Sequence, residues 1–496
     1  MRSEARPWVV ATLPGRSAAS ARRQAALAAT AGADIAEIRF DRWSPEERTR
    51  SGELFPSPLP LMATLRSRSE GGEGPDEAGA RARWISEIRQ LPFDWIDLEA
   101  DRDLTGQRPE PPALGGWIVS AHLDGRATAD AIHRRLARAL PPASVAKLVV
   151  PASVRFVVEE LVPHLPPAGG GRRIVMTTGS SGALLRAWSR RLGFAGVYGS
   201  LPADEAGDAP VEASQVPVDR LRWFLDGPPS APLFAILGRP VAHSRSPALH
   251  HYWMEQLGHR GLYIPIEVDS DSELAALLEP LRSGGFRGVN VTHPFKEAAL
   301  GLATRAGPGA RAAGCANTLT FRVDEIEAEN TDLVAVLRRL EELRSGGAWN
   351  GRTLTVLGTG GAARATLAAA RSLGARAEVL GRRADRVARV RAEFGVEWEP
   401  TAADPPGLIV NATTVGRAEG GSLAFDLRSR IGPSTYLLDF VYRPDDPVLA
   451  SLVSDGRGRY EDGRRLLAYA AAATYQIWWG EGPPPSLVDS AIEVAS

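Results

Sequence analysis

Two residues stand apart in this sequence by type alone. The 496-residue chain carries 58 lysines and arginines, and only Lys147 and Lys296 are lysines, so 58 − 2 leaves 56 arginines. A guanidinium stays protonated at any working pH, whereas a lysine amine can lose its proton and act as nucleophile or acid/base. Lys147 sits in the apolar run VAKLVVP and Lys296 in GVNVTHPFKEAAL. Apolar surroundings disfavour an ammonium, so Lys147 is expected to have a depressed pKa, which is what imine formation with a ketone needs. His122, in SAHLDG, is a candidate proton shuttle for such a lysine. Asp332, in ENTD, is a candidate acid/base partner for Lys296. The bland alternatives are an ion-paired core lysine, a structural histidine and a surface Lys–Asp bridge.

These groups need a scaffold. Residues 1–225 hold eight short apolar runs at about the spacing of a βα unit: from Val9, Ile35, Leu61, Trp95, Trp117, Ala146, Ile174 and Gly196. Eight such strands predict a (β/α)8 barrel, whose chemistry lies at the carboxyl ends of its strands. Glu37, Arg39 and Asp41 fall at the second end, Arg66 after the third and Glu99 after the fourth. His122 falls after the fifth, with Lys147 on the sixth. A helix is expected over Thr128 to Leu140, where apolar and arginine positions alternate with helical period.

DGPPSAP, residues 226–232, reads as a linker. Beyond it, LFAILG, GLYIPIEV and RGVNVT predict strands of an α/β domain reaching to about residue 332. TLTVLGTGGAARATLAAARSLGA, from Thr353, then reads as strand, glycine turn and helix, the dinucleotide-binding arrangement. Gly358, Gly360 and Gly361 would let the backbone approach a pyrophosphate at the helix start, with Ala362 following. Where an NAD site wants an acid, the chain has Arg382 and Arg383, which suit a 2′-phosphate and favour NADP. A lysine and an aspartate beside a nicotinamide could move an alcohol proton while hydride transfers. Asn290, Thr292 and Asn317 around them look assembled to bind a polyol.

Composition limits the classes. Hydrophobic residues are 44% and charged residues 24%, a globular chain. Its 58 basic and 59 acidic residues nearly cancel, so nucleic acid and anionic membranes are not expected as partners. One cysteine, Cys315, excludes an internal disulfide framework and any multi-cysteine metal site, and no metal is expected. Neither the start of the chain nor the run from Leu466 to Trp479 reads as a targeting or membrane segment, so a cytoplasmic protein is expected.

Taken together, AEIRFD (Ala36 to Asp41), LRSRSEGGE (Leu65 to Glu73), SAHLD, VAKLVV and SQVPVDRLR (Ser214 to Arg222) resemble the type I 3-dehydroquinate dehydratases over residues 8–224. The resemblance implies a Schiff base between Lys147 and the ketone of 3-dehydroquinate, with His122 moving protons and Glu70 tuning it. It further implies that Glu37, Arg66 and Arg186 hold substrate hydroxyls and carboxylate, with Arg39 among them, and that Gln215 covers the substrate from the loop Pro202 to Gln215. Val211 stands where that loop usually has serine.

The second half resembles shikimate dehydrogenase over residues 233–486. HSRSP supplies Ser244 and Ser246; NVTHPFK supplies Asn290, Thr292 and Lys296. ANTL and ENTD supply Asn317 and Asp332, NATTVG supplies Asn411 and Thr413, and DFVYRP supplies Tyr442. The implied organisation places the barrel at 1–225 and a dehydrogenase at 233–496. Residues 233–335 would mainly bind substrate, 350–460 would form a Rossmann NADP domain, and the C-terminal helices would return to the substrate part. The small-molecule ligands would be 3-dehydroquinate, 3-dehydroshikimate and shikimate. The pattern departs at Glu329 and Leu333, where glycines are usual, and at Ala470, where a glutamine is expected. Loss of that amide should cost on the order of 1 kcal/mol unless Tyr469 compensates. Cys315 is expected as a small apolar filler. Three other readings stay open: a Schiff-base aldolase barrel, a second half acting on quinate or another polyol, and a non-catalytic metabolite sensor.

Overall fold

The computed structural model describes residues 6–104, 115–125, 127–136, 144–166, 172–201, 212, 214–397, 406–417, 427, 430–442, 448–453 and 458–494. Val211 and most of the loop before Gln215 lie outside them. The chain forms two units, Met1–Pro232 with Arg260–Glu267, and Leu233–His259 with Val268–Ser496.

All eight apolar runs of the first unit fold as strands: β1 (Trp8–Leu13), β2 (Ile35–Arg39), β3 (Leu61–Thr64), β4 (Trp95–Glu99), β5 (Gly116–His122), β6 (Ser144–Pro151), β7 (Arg173–Thr178) and β8 (Gly196–Ser200). They pair in parallel in the order β7-β6-β5-β4-β3-β2-β1-β8, a nearly closed barrel. Glu99 and His122 end their strands rather than follow them. The expected helix after β5 runs Ala129–Leu136, and residues 137–140 lie outside the description.

Alternation along the strands divides the interior into two layers. Val10, Ile35, Met62, Ile118, Val145 and Ile174 form an apolar layer toward the strand starts. Two residues further along the same faces come Thr12, Glu37, Thr64, Ser120 and Lys147, all buried. The apolar layer lies toward the strand starts, and the polar layer above it is buried as well.

Beyond the linker, the three expected runs fold as the strands Leu233–Gly238, Leu262–Glu267 and Phe286–Val291, of which the first and third belong to the second unit. The sequence reading missed the hairpin that follows, Thr318–Phe321 against Ile326–Glu329. Its strands are four residues each, too short for a clear period. Thr318–Phe321 pairs antiparallel with Phe286–Val291, placing Asn290 opposite Thr318. Further on, five parallel strands lie in the order Arg376–Leu380, Thr353–Leu357, Leu408–Asn411, Tyr436–Asp439, Arg459–Glu461. Their apolar side chains build a core around Leu357, Ile409 and Leu437. The apolar run near the C-terminus is the helix Arg464–Trp479, and no helix among the described residues is long and apolar enough to cross a membrane.

Ile118 is fully buried in the barrel's lower layer. Ile118→Ala should destabilise the barrel by about 2–5 kcal/mol, read as an earlier urea midpoint for its unfolding.

Candidate functional sites

At the mouth of the barrel, Lys147 Nζ lies 3.1 Å from Asp97 Oδ2 and 3.4 Å from Glu37 Oε1. Glu37 is held by the hydroxyls of Thr12 and Thr64, at 3.0 and 2.9 Å. Asp97 accepts from Ser120 Oγ at 2.5 Å and from Arg66 Nη2 at 2.9 Å. Arg66 also donates to Glu70 at 2.9 Å and Glu99 at 3.2 Å. Glu70 Oε2 is 2.9 Å from His122 Nδ1 and accepts the His122 backbone N–H. A continuous run of charged contacts therefore joins Lys147 to His122 through Asp97, Arg66 and Glu70.

The electrostatics correct one expectation. Burial alone would depress the Lys147 amine, but Asp97 and then Glu37 outweigh it and hold its pKa above the usual lysine value. The apolar sequence around Lys147 concealed these carboxylates, which come from strands 50 and 110 residues away. His122 goes the other way: burial first, then the cations of Arg66 and Lys147, drive its pKa well below the usual histidine value. Burial, with Glu99 and Asp97 adding to it against Arg66, pushes Glu70 up to about 7. The imidazole is thus kept neutral, as a base requires.

Arg39 forms a two-pronged pair with Asp41, both contacts 2.8 Å. Arg186 is buried among backbone oxygens, donating to Tyr198 at 2.9 Å, Thr177 at 3.3 Å and Gly182. Burial lowers it to about 10. Gln215 donates to Thr12 Oγ1 at 3.3 Å, and its side-chain oxygen is buried with no hydrogen-bond partner among the described residues. Asp97, Ser120 and Tyr198 were not singled out from sequence. The available signal for Asp97 was its place with Glu99 in WIDLE, two carboxylates on one face of a strand otherwise apolar.

In the second unit, Lys296 Nζ is 2.6 Å from Asp332 Oδ2, with side chains only 17% and 13% exposed. The pair is sheltered rather than superficial. Its aliphatic stem lies against Gly361, where an added Cβ would come within 2.6 Å of Lys296 Cδ. Cys315 is buried beside them, and burial pushes its thiol up to about 11. Ser244 Oγ accepts the N–H of Ser246, which begins the helix Ser246–Gln256. Thr292 fills the space a side chain at position 238 would need, its Cγ2 lying 2.3 Å from a Cβ built on Gly238.

Asn290 donates to Asn317 O and Thr318 Oγ1, both at 3.0 Å, and to Thr474 Oγ1 at 3.3 Å. Asn317 is bonded on both sides of its amide, to Thr331 Oγ1 at 3.0 Å and Thr331 N at 2.7 Å. It braces the turn before Asp332 from within. Thr474, absent from the sequence reading, hydrogen-bonds Thr318 and Thr331 from the helix carrying Ala470. Tyr469 does not replace the missing amide, because its hydroxyl is tied to Glu342 at 2.8 Å. Glu329 caps the helix Pro308–Ala313 through Ala310 N at 2.8 Å, and Leu333 is buried behind the helix start.

The glycine turn can take a dinucleotide. Gly358 has φ +113°, and a Cβ there would meet Ala412 O at 2.8 Å. Gly360 faces open space and precedes the twelve-residue helix Gly361–Ser372, whose first N–H groups favour an anion. Ala362 lies in that first turn, its carbonyl bonded to Thr366. Arg382 is exposed; Arg383, also exposed, leans onto Asp385 at 2.7 Å. Asn411 is fully buried and spends its amide on Asp439 at 2.7 Å, Val415 O and Thr413, so it shapes the loop from behind. Burial raises Asp439 to about 6. Tyr442 lies half-buried with Arg417 5.7 Å from its ring.

Residues 9–226 match the family model described as type I 3-dehydroquinase, and residues 236–319 that of the shikimate dehydrogenase substrate binding domain. The shikimate dehydrogenase (NADP(+)) of Acidiphilium cryptum is 38% identical over 268 residues, covering 53% of this chain and 94% of the relative. That of Dinoroseobacter shibae is 35% identical over 262 residues, 51% of this chain and 93% of the relative. Shikimate 5-dehydrogenase from Thermus thermophilus, solved with NADP(H) and shikimate, is 33% identical with a TM-score of 0.47, over 53% of this chain and all of that one. Dehydroquinate dehydratase and shikimate dehydrogenase from S. pombe AroM aligns with 99% of this chain and 98% of its own, at 20% identity and a TM-score of 0.44.

Asp97→Asn should lower the pKa of the Lys147 amine, since burial then acts against one carboxylate instead of two. The pH at which Lys147 becomes reactive to an acylating reagent, followed by peptide mass spectrometry, measures the shift.

Proposed function

The chain belongs to the shikimate dehydrogenase family and carries a type I 3-dehydroquinase domain ahead of it, and we propose that its two sites catalyse consecutive reactions. The barrel dehydrates 3-dehydroquinate to 3-dehydroshikimate, and the second half reduces that ketone to shikimate with NADPH. The observation that carries the first step is a buried lysine nitrogen joined by charged contacts to a neutral histidine.

In the barrel, the Lys147 ammonium passes one proton to a flanking carboxylate, Asp97 or Glu37, and the freed lone pair on nitrogen bonds to the ketone carbon. The carbon–oxygen bond breaks, and the oxygen leaves as water with two of the ammonium's three protons. The resulting iminium draws electrons from the neighbouring carbon and acidifies its proton. Neutral His122 takes that proton and later delivers it to the departing hydroxyl. Hydrolysis of the imine then frees Lys147. Arg186, whose bonds here are to carbonyl dipoles, and Arg66 would bind the substrate's carboxylate and hydroxyls, with Glu37 and Gln215 alongside.

In the second half, Gly358, Gly360 and Gly361 would hold the pyrophosphate and Arg382 and Arg383 the 2′-phosphate of NADPH, which would supply the hydride. Lys296 and Asp332 would move the proton at the substrate oxygen, while Ser244, Ser246, Asn290, Thr292 and Tyr442 orient the ring. Asn317, Asn411 and Thr413 would support these groups from behind. We place the boundary between the activities at residues 226–232, and a cytoplasmic location belongs to the same reading. Glu329 and Leu333 serve the helices around the site, so neither departure argues for quinate as substrate.

Purified protein given 3-dehydroquinate and NADPH should consume NADPH and release shikimate. Lys147→Arg should lower dehydration by on the order of 10³-fold or more and leave reduction of added 3-dehydroshikimate intact. Lys296→Ala should do the reverse. Loss of both steps from either substitution in a folded protein would refute the two-site assignment. Arg382→Ala with Arg383→Ala should raise the KM for NADPH about tenfold or more without changing that for NADH.

A further inference from the structure

Lys147 is enclosed on three sides. Two are the carboxylates of Asp97 and Glu37, at 3.1 and 3.4 Å. The third is the ring of Tyr198 on β8, whose centroid lies 4.2 Å from Lys147 Nζ. The ring is 2% exposed, and its hydroxyl donates to Met62 Sδ at 3.3 Å, which fixes its plane. Its backbone oxygen is in turn fixed by Arg186 Nε at 2.9 Å. Burial raises the phenol above its ordinary range, so the ring faces the nitrogen as a neutral aromatic. A neutral ring attracts a cation through the negative charge on its face, and most strongly where water is excluded.

The geometry points to Tyr198 as a catalytic residue of the barrel site, its ring face carrying the Lys147 nitrogen as a cation both before and after the carbon–nitrogen bond forms. The inference rests on the Schiff-base reading above. The charge count supports it: an ammonium and a neutral ketone give an iminium cation and neutral water, so one positive charge stays at this nitrogen. A carboxylate bonds an ammonium through its N–H groups, and two of these three leave with the water. The attraction of the ring face does not depend on N–H groups, and a flat face can lie against a planar iminium. Tyr198 therefore keeps its hold when the carboxylates lose part of theirs, and it favours the iminium over the neutral carbinolamine.

Borohydride trapping with 3-dehydroshikimate at a concentration below saturation tests this, with the adduct on Lys147 quantified by mass spectrometry. Tyr198→Phe should trap as well as the parent. Tyr198→Leu should trap about tenfold less. Because Tyr198 belongs to the barrel core, replacement by phenylalanines of increasing fluorination supplies a series of nearly constant shape. Trapping should fall with each fluorine, and an unchanged urea midpoint for unfolding of the barrel reports that the barrel is intact. No adduct in the parent protein would sink the Schiff-base reading itself. Trapping in the parent that stays level across the fluorinated series would overturn the role of Tyr198 alone. A loss already complete in Tyr198→Phe would assign the effect to the hydroxyl and equally overturn the ring-face inference.

Discussion

The barrel site is governed by positive charge held where water barely reaches. Lys147, Arg66 and Arg81 are buried cations, and Glu37, Asp97 and Glu99 are the buried anions among them. Taking such charges out of water costs several kcal/mol each, recovered only when every charge finds close partners. That condition fixes at once side chains on three strands (β2, β4 and β6), in the loop after β3 and on the helix Ala78–Ile88. It also separates two groups that must behave differently. The same cations that anchor the carboxylates keep His122 from accepting a proton prematurely, while the carboxylates keep Lys147 charged until substrate arrives.

The second unit uses neutral groups where the first uses ions. Asn317, Thr318, Thr331 and Thr474 bond to one another in a buried cluster that joins the Thr318–Phe321 strand, the helix Thr331–Ser345 and the helix Arg464–Trp479. Asp332, one residue beyond Thr331, inherits its position from that cluster. Lys296 meets it from the other side, its stem resting on Gly361. The glycine that opens a nucleotide-binding turn also sets how near the lysine can stand.

Much of this was legible in the sequence, for a physical reason. All eight barrel strands showed because each must bury its residues, leaving apolar runs punctuated at βα spacing. Lys147 and Lys296 showed because the rest of the chain avoids lysine. The sequence was silent where function depends on partners from distant strands. Asp97 lies 50 positions from Lys147 and Glu70 lies 52 from His122, and the alternation that turns these side chains inward cannot say which ones meet. The expectation of a depressed lysine failed for that reason. Asn317, Asn411 and Tyr469 illustrate a second limit: an amide or a phenol in a motif can serve the fold from behind as readily as it can face a ligand. The hairpin from Thr318 to Glu329 escaped because four-residue strands carry too few alternations to be read.

The scarcity of lysine has a practical side. Only two side chains in 496 residues bear a primary amine, and each stands in a different candidate site. Lysine supplied with a heavy-nitrogen label at Nζ would therefore give one side-chain resonance for each half of the protein, with no background from the surface and no change to either amine. Each signal could be followed alone while the other half is saturated, inhibited or left idle, so the chain comes already equipped with one spectroscopic reporter per chemical step.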